Sequence, residues 1–296
     1  MSDPQPPLQP LTPRFGVEVG GVDLSQVTRE SGYPALRALF ETESLLLFRG
    51  QSLSDEAHLR LARLFGPLED READTRKADD PLKVSLVSNV KADGGLTAEN
   101  DMHTLHLKAN MLWHIDSTFM PVPALTNILV ARVVTTTGGN TEFASTRAAF
   151  RDMARDLQAR LRRAVFCHHY SQSRARIAPE LAKLPMFNKW PEQRWKAVIA
   201  NPVTGEEGVY IASHCRRVEG LCDEEGAAFL DEVLAACTQP AYVYSHRWQP
   251  GDVLLWDQRA VMHRGTPWPY DQPRTLTSLC VSLTPADGLA EMRPAS

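Results

Sequence analysis

Residues 110–119 read NMLWHIDSTF, which places a histidine and an aspartate one residue apart, shortly after a tryptophan. In an extended strand, residues i and i+2 point to the same face. The imidazole of His114 and the carboxylate of Asp116 would then be aimed at one point. This pair predicts either a buried ion pair or two ligands of a metal site, and so short a motif also arises by chance.

A second histidine favours the metal site. Residues 251–268 read GDVLLWDQRAVMHRGTPW, in which a strand ends near Trp256 and a short connection leads to His263. Two histidines and one carboxylate, with the third ligand far along the chain, are typical of non-haem iron(II) oxygenases. Such a site holds the metal on one face and leaves positions for a co-substrate and dioxygen, whereas four protein ligands would close it. We therefore predict that His114, Asp116 and His263 bind Fe(II).

The co-substrate 2-oxoglutarate supplies a further test. When one end of the molecule binds the metal, its far carboxylate still needs a cation, and the planar fork of arginine suits a carboxylate best. Arg274 follows His263 at the head of the next predicted strand, and Thr141 follows the glycines of GGNTEFA. Alone, each is read as an ordinary surface or turn residue. Together, in this order, they predict a 2-oxoglutarate site in which Thr141 adds a hydroxyl.

The elements that must hold these residues are apolar strands and a few helices. Apolar residues at helical spacing predict helices that begin at Ser52 and that cover residues 146–162 and 223–237. Strand-like runs occur at residues 15–25, 44–48, 125–134, 252–257 and 275–283. Strands on a core, with helices inserted or packed outside, predict a mixed α/β, β-dominated fold of the barrel or jelly-roll kind.

The organisation of the chain is simple. It has 296 residues and no internal repeat or low-complexity linker, so we predict a single domain over residues 1–296. Residues 1–14 are rich in proline and predict an extended N-terminal arm. Residues 71–110 are charged and contain glycines, and we predict a loop there that could act as an active-site lid.

Composition argues against several other classes of protein. Hydrophobic residues make up 43% of the chain, which allows a full-sized core. No apolar run approaches the roughly 20 residues that span a bilayer. A formal net charge of -4 argues against nucleic acid as a partner. The five cysteines are scattered without a CxxC pair, which predicts neither a zinc ribbon nor a disulfide framework and fits a cytoplasmic protein.

These motifs resemble the taurine/2,4-D (alpha-ketoglutarate-dependent) dioxygenase family. The resemblance covers most of the chain and includes the spacings from His114 to Thr141 and from His263 to Arg274. The strings that carry it are FGVEVGGVDLS, LARLFGPLE, NMLWHIDSTF, GGNTEFA, GVYI and WDQRAVMHRGTPW.

The resemblance implies a fold, cofactors and a pocket. The fold would be a double-stranded β-helix, or jelly roll, with flanking helices. The cofactors would be Fe(II) on the three ligands named above, 2-oxoglutarate as co-substrate, and dioxygen. Arg274 and Thr141 would hold 2-oxoglutarate, with Trp256 packed nearby. Asn110 and Ser117 fall where the family lines its substrate pocket.

Several strings look most like the (S)-phenoxypropionate/2,4-D type of aryloxyalkanoate dioxygenase. They are VSNVKADG, NMLWHIDSTFMPV, HYSQS and HRGTPW. His214, in IASHCRR, resembles a pocket histidine of that subgroup, and Tyr170 in HYSQS is a further pocket candidate.

The chain departs from the family pattern where a substrate anion would be held. Relatives carry a second arginine four or six residues past the 2-oxoglutarate arginine, on the same strand face, but here these positions are Ser278 and Cys280. Arg264, Arg216 and Arg217 are candidates for a replacement cation, although each is interpreted first as an exposed arginine.

The predicted reaction is hydroxylation of a small organic molecule, such as an aryloxyalkanoate-type acid whose ether bond is then cleaved. The same chemistry on a sulfonate, a sulfate ester or a biosynthetic small molecule stays open, as does a homo-oligomer.

Asp116 argues against a halogenase, which would lack this carboxylate. A metal-dependent hydrolase would have no use for Arg274 and Thr141, and a non-catalytic jelly-roll binding protein would be expected to have lost ligands.

The remaining histidines are interpreted as structural. His58 is expected to lie on the solvated side of a helix. His168 and His169 are adjacent on a predicted strand and point to opposite faces, so at most one of them can face the pocket.

Overall fold

A computed structural model describes residues 6–77, 79–99 and 101–295. Its strands are β1 (Leu8–Pro10), β2 (Val17–Val19), β3 (Leu45–Phe48), β4 (Ser85–Ser88), β5 (Ala124–Val133), β6 (Thr141–Ser145), β7 (Val165–His168), β8 (Gln193–Lys196), β9 (Val198–Ala200), β10 (Glu207–Val209), β11 (Cys215–Val218), β12 (Val243–His246), β13 (Val253–Asp257), β14 (Val261–Gly265) and β15 (Thr275–Ser282). Its α-helices are α1 (Tyr33–Glu43), α2 (Asp55–Phe65), α3 (Met102–Lys108), α4 (Thr146–Asp152), α5 (Arg155–Arg163), α6 (Tyr170–Ala175), α7 (Pro179–Ala182), α8 (Asp223–Cys237) and α9 (Leu289–Met292). The fold is therefore mixed α/β with a sheet-rich core, as predicted.

The largest sheet has the strand order β1-β2-β3-β13-β5-β15-β4. Its neighbouring strands pair antiparallel except β2 and β3, which are parallel. Every residue of β3 and β13 is buried, because other elements cover both faces of the sheet. These two strands are the apolar runs that the sequence predicts at residues 44–48 and 252–257.

Alternate residues of the central strands belong to two different cores, as the period of a strand requires. Leu45 and Leu47 of β3 point to the face that packs on a smaller sheet, where they share an apolar cluster with Phe143. Leu46 and Phe48 point to the opposite face and share a cluster with apolar residues of α1 and α2. The large sheet therefore lies between a helical layer and the smaller sheet.

The smaller sheet, β12-β6-β14, positions two of the predicted metal ligands. His263 lies on β14 opposite Phe143 of β6. On its other side His263 pairs with His114 through two backbone hydrogen bonds, each with an N–O distance of 2.9 Å. This bridge holds the segment that carries His114 and Asp116 against the edge of the sheet.

A third sheet, β11-β7-β8, carries residues of the opposite side of the site. Strand β7 leads directly into α6, and the chain reaches β11 through His214. The backbone N–H of His169 donates to the carbonyl of His214 at 2.9 Å, which ties these two segments together. A two-stranded sheet, β10-β9, completes the strand pairing.

Two of the predicted helices need correction. Helix α2 begins at Asp55 rather than Ser52, because Ser54 caps it by accepting from the backbone N–H of Ala57. The single helix predicted over residues 146–162 is two helices, α4 and α5, because Met153 and Ala154 have extended backbone angles. The helix over residues 223–237 is confirmed as α8. Among the described residues, no helix is long and apolar enough to cross a membrane.

The two irregular segments contain regular structure. In the predicted N-terminal arm, residues 1–5 lie outside the described residues, and Leu8–Pro10 pairs with β2 as an edge strand. Residues 71–110 contain β4, which pairs with β15, and helix α3. Part of this segment is therefore anchored to the large sheet, and its flanks cover the cavity described below.

Candidate active site

The three predicted metal ligands lie together at the base of a cavity. One ligand atom from each of His114, Asp116 and His263 falls within 4.8 Å of the others. The Nε2 atoms of His114 and His263 each lie 3.7 Å from a different carboxylate oxygen of Asp116. Among the described residues, no fourth histidine, cysteine or acidic residue joins this group.

Both imidazoles are prepared to act as neutral ligands. Burial lowers the pKa of His114, and burial followed by repulsion from His114 lowers the pKa of His263 to about 3. The Nδ1 atom of His114 lies 2.7 Å from the backbone oxygen of Leu112, which therefore accepts the ring proton. This contact leaves Nε2 without a proton and able to bind a metal, and such a hydrogen bond is the usual way to orient a metal-binding histidine.

Asp116 is held as a carboxylate by its surroundings. Burial opposes the charge, but His263 and His114, with a hydrogen bond from Asn127, bring the pKa of Asp116 down to about 2. The side-chain amides of Asn127 and Gln258 donate to one carboxylate oxygen at 2.9 and 2.6 Å. The other oxygen is left for a cation.

The donor set fits a divalent transition metal such as iron. Two neutral imidazoles and one carboxylate are the ligands of the facial triad, and three protein ligands leave the remaining coordination positions open. The open side faces a cavity of about 850 Å³ that His114, Asp116 and His263 help to line. This volume is in the range of small-molecule sites.

The residues predicted for 2-oxoglutarate stand near the metal ligands. Arg274 and Thr141 both line the cavity. The guanidinium of Arg274 donates from Nε and Nη2 to the backbone oxygen of Gly139, and burial lowers its pKa to about 10. The hydroxyl of Thr141 accepts from the indole N–H of Trp248 at 3.0 Å, which leaves its own proton free to donate.

Trp256 occupies a different position. Its ring is fully buried, with its centroid 4.6 Å from that of His263 and 5.1 Å from that of Phe143. It is not among the residues that line the cavity. Trp256 therefore supports the His263 ring from behind instead of facing the cavity.

All four residues predicted for the substrate side line a narrow recess that adjoins the cavity. The recess has a volume of about 30 Å³. The four residues are Asn110, Ser117, Tyr170 and His214. Ser117 has a positive φ of 60°, a left-handed turn that follows directly after Asp116. Burial, followed by the charge of Arg174, holds the pKa of His214 well below its ordinary value.

The arginines suggested as replacements for the missing substrate cation do not reach the cavity. Arg264 pairs with Glu142 and lies over the ring of Trp113. Arg217 pairs with Glu192, and Arg216 is exposed. None of the three lines the cavity or the recess, which agrees with the preferred interpretation of each as a surface arginine.

The sequence interpretation missed three arginines that line the cavity: Arg71, Arg174 and Arg76, the last of which is paired with Asp70. Arg71 and Arg174 line both the cavity and the recess. Arg71 lies in a turn after α2, and Arg174 lies on the six-residue helix α6, which was not predicted. The only sequence signal is that Arg174 directly follows the string HYSQS, which already pointed to the pocket.

Of the histidines interpreted as structural, His103 and His106 line the cavity, whereas His58, His168 and His169 lie outside it. His58 is buried, not solvated, and its Nε2 lies 3.1 Å from the backbone oxygen of Ile128. His168 is buried with its Nδ1 3.0 Å from the hydroxyl of Thr118. Neither His168 nor His169 lines the cavity.

Comparisons with known proteins agree with this geometry. Residues 7–280 match the family described as "Taurine catabolism dioxygenase TauD, TfdA family". The chain is 34% identical to (S)-phenoxypropionate/alpha-ketoglutarate-dioxygenase of Sphingobium herbicidovorans, over 96% of this chain and 97% of that protein. It is also 34% identical to alpha-ketoglutarate-dependent 2,4-dichlorophenoxyacetate dioxygenase of Cupriavidus pinatubonensis, over 90% of this chain and 94% of that protein.

A solved structure of a similar protein agrees with the family match. The crystal structure of AAD-2 in complex with Mn(II) and N-oxalylglycine superposes with a TM-score of 0.86 at 29% identity. The superposition covers 94% of this chain and 97% of that one. The likeness therefore extends over the sheets, the site and the flanking helices.

Proposed function

Because this chain belongs to the taurine catabolism dioxygenase TauD, TfdA family, we propose that it hydroxylates a small organic acid of the aryloxyalkanoate type and so cleaves the ether bond of that acid. The reaction class is that of the family: the chain is a 2-oxoglutarate-dependent dioxygenase that uses Fe(II) and dioxygen. The resemblance and the cofactors predicted from the motifs are confirmed. The hydrolase and the non-catalytic binding protein are not favoured.

The observation that carries the proposal is the cluster of His114, Asp116 and His263 at the base of the cavity. We propose these three residues as the Fe(II) ligands. Asn127 and Gln258 would keep the Asp116 carboxylate charged and fixed in direction. Hydrogen bonds of this kind around a metal ligand are expected to tune both affinity and geometry.

We propose that Arg274 holds the far carboxylate of 2-oxoglutarate and that Thr141 donates to it. Arg274 is buried, and its contacts to Gly139 are to a neutral carbonyl, so its charge is available to an acid. The pKa of about 10 still leaves this guanidinium charged at neutral pH. Trp256 would position the His263 ring without touching the co-substrate.

The protein's contribution to the reaction is binding and orientation. Iron with 2-oxoglutarate and dioxygen supplies the oxidising power: 2-oxoglutarate becomes succinate and carbon dioxide while one oxygen atom enters a substrate C–H bond. When that carbon also bears an ether oxygen, the hydroxylated product is a hemiacetal and breaks down to a carbonyl compound and an alcohol or phenol. Asn110, Ser117, Tyr170 and His214 would hold the substrate so that this carbon faces the metal ligands.

Several finer features belong to the same proposal. The large sheet and the sheet β12-β6-β14 would form the two halves of a double-stranded β-helix, within a single domain. Residues 71–110 would serve as a partial lid over the cavity. A cytoplasmic location fits the five cysteines, which all lie among the described residues and are all free thiols.

The proposal can be tested by anaerobic titration of the metal-free protein with Fe(II) and 2-oxoglutarate. We expect a weak visible charge-transfer band from the bound pair. The band should be absent in His114→Ala, which loses a ligand, and strongly weakened in Arg274→Ala, which loses the partner of the far carboxylate. With a bound aryloxyalkanoate and air, succinate should form together with the cleaved product.

Two matched variants separate the site from general damage. His169→Ala removes a histidine that lies outside the cavity, and Arg247→Ala removes an exposed arginine. Both should keep the band. A folded, metal-loaded wild-type protein that never shows the band would contradict the assigned ligands and co-substrate site.

A further inference from the structure

Arg174 is a buried charge in the wall of the cavity. Its side chain is 4% exposed, and its ring neighbours are Tyr170 and Phe187, whose centroids lie 4.6 and 5.1 Å from the guanidinium carbon. Its Nη atoms donate to the hydroxyl of Ser173 at 2.8 Å, the hydroxyl of Tyr170 at 3.3 Å and the Nε2 of His106 at 3.2 Å. Its Nε has no partner among the described residues.

None of these partners carries a negative charge. Among the residues that the structure describes, no carboxylate lies within ion-pair distance of Arg174. Burial lowers the pKa of Arg174, and the nearby charge of Arg71 lowers it further. Arginine nevertheless keeps its proton in proteins, so the charge persists. A buried charge without a counter-charge is costly, and proteins retain such groups mainly where a function requires them.

A second guanidinium, which is more exposed, lies at the same recess. Arg71 lines the same recess, donates to the hydroxyl of Ser117 at 3.0 Å and lies over the ring of Phe119. Only one of its edges is occupied by a carboxylate, that of Glu69. Two arginines face a recess whose lining includes one carboxylate, that of the proposed metal ligand Asp116, so the charge of the lining is positive on balance.

The recess has the size and the neighbours of a head-group site. Its volume of about 30 Å³ exceeds the roughly 10–15 Å³ that one water requires, so it has room for the oxygens of an acid group. The metal ligands His114 and Asp116 form part of its lining. An acid group bound there would place the carbon next to it close to the metal ligands.

The mouth of the cavity contains exposed apolar side chains. Leu86, Met102 and Met186 line it, and these side chains are 61, 54 and 57% exposed. Large apolar residues that stay exposed around a cavity mark the place where a ligand or partner binds. Exposed charged residues, among them Glu72, Asp80 and Lys83, also line this end. The cavity therefore has two arginines at its inner end and exposed apolar side chains, with charged neighbours, at its entrance.

We propose that Arg174, assisted by Arg71, is the anion-binding subsite for an amphipathic organic monoanion whose apolar body extends towards Leu86 and Met186. This inference rests on the proposed function, because it specifies the substrate of the same site. It moves the anion contact from strand β15, where this chain has Ser278, to helix α6. A carboxylate, a sulfate ester and a sulfonate share the chemistry that these arginines recognise.

The first experiment compares acids with a neutral analogue. The full chain is loaded anaerobically with Fe(II) and 2-oxoglutarate and titrated with phenoxyacetate, phenyl sulfate, benzenesulfonate and the uncharged 2-phenoxyacetamide, with calorimetry to measure Kd. We expect at least one acid to bind tenfold or more tightly than the amide, because charge-assisted hydrogen bonds in a buried site are strong. The acid that binds most tightly identifies the head group.

The second experiment changes the arginine. Arg174→Met should raise the Kd of the preferred acid by about 10–100-fold and leave that of the amide unchanged. Arg174→Lys should recover part of the loss, because it restores the charge without the planar fork. Arg176→Met, two residues further on and exposed, is the matched control and should bind like the wild type.

The outcomes separate this inference from the proposed function. Equal binding of acids and amide, binding of no acid at all, or equal effects of Arg174→Met and Arg176→Met would each overturn the anion subsite while the charge-transfer band still forms. If the wild-type band never forms, the iron and 2-oxoglutarate assignment fails instead. In that case, titrating the acids into the wild type and into Arg174→Met without Fe(II) and 2-oxoglutarate still measures the contribution of Arg174 to acid binding.

Discussion

Two buried arginines of this molecule are held in opposite ways. Arg259 is 2% exposed and makes two bonds to the carboxylate of Asp257, at 2.8 and 3.0 Å, and one to that of Glu41 at 2.6 Å. It also donates to the backbone oxygen of Asp287. Arg174 is 4% exposed and has only neutral partners. The two arginines are therefore about equally buried, but only Arg259 is paired with carboxylates.

The difference separates a structural charge from one that is available to a ligand. Arg259 joins α1, β13 and the C-terminal segment, and its hydrogen-bonding capacity is used within the protein. Arg174 contacts no group of opposite charge among the residues that the structure describes, and it borders the cavity. Removing one member of a compensated ion network leaves its partners buried without a counter-charge and destabilises the fold, whereas removing an uncompensated charge leaves no such partner.

The largest loss of stability is expected when Arg259 is replaced, because two buried carboxylates then lose a partner. Arg259→Met leaves the carboxylates of Asp257 and Glu41 buried with fewer partners, although Arg147 still reaches Asp257 and Arg37 still reaches Glu41. We expect the free energy of unfolding to fall by about 3–5 kcal/mol, as when one partner of a buried ion pair is lost. Urea denaturation at pH 7.5 measures this loss, and a change below about 1 kcal/mol would contradict the structural role.

His58 shows how a buried group can avoid the cost of an unpaired charge. His58 is fully buried against Ile128 without a carboxylate partner, and burial lowers its pKa from 6.5 to about 4. The folded state therefore prefers the neutral ring. The resulting stability is complete above pH 6.5 and is lost as the pH falls towards 4, because the unfolded chain binds the proton first. Unlike this histidine, Arg174 cannot give up its proton.

The expected change in the free energy of unfolding follows from the difference between the pKa values of His58 in the folded and unfolded states. Between pH 7.5 and 5.5 His58 should lower the free energy of unfolding by roughly 1 kcal/mol. Other buried histidines titrate as well, so the measurement is the difference between the wild type and His58→Gln, in which an amide N–H can replace the bond to Ile128. Identical pH profiles for the two proteins would show that His58 does not carry this dependence.

The metal end of the site could be predicted because its geometry is local. His114 and Asp116 are separated by one residue, and the position of His263 on a strand next to His114 follows from sheet pairing. Arg274 stands at the start of the next strand. Sheet register fixes His263 against His114, while His114, Asp116 and Arg274 lie just outside the strands and were predicted from the spacing of their motifs.

The substrate end could not be predicted in the same way. Arg71 lies in a turn and Arg174 on a helix of six residues, too short to show an amphipathic pattern. Their proximity depends on how α6 and the segment after α2 pack around Phe119. By contrast, the burial of His58 had a visible signal, because it shares a helix face with Leu61 and Ala62, and that signal was overlooked.

The smallest change in stability is expected at Arg174 itself, and it completes the comparison. Arg174→Met removes a buried charge without stranding a carboxylate, and the new side chain can pack between Tyr170 and Phe187. The lost hydrogen bonds are to neutral groups, so we expect the free energy of unfolding to stay constant or to rise by up to about 1 kcal/mol. Urea denaturation alongside Arg259→Met makes the comparison with the same pair of residue types. A loss at Arg174 as large as that at Arg259 would mean that Arg174, too, is a structural charge.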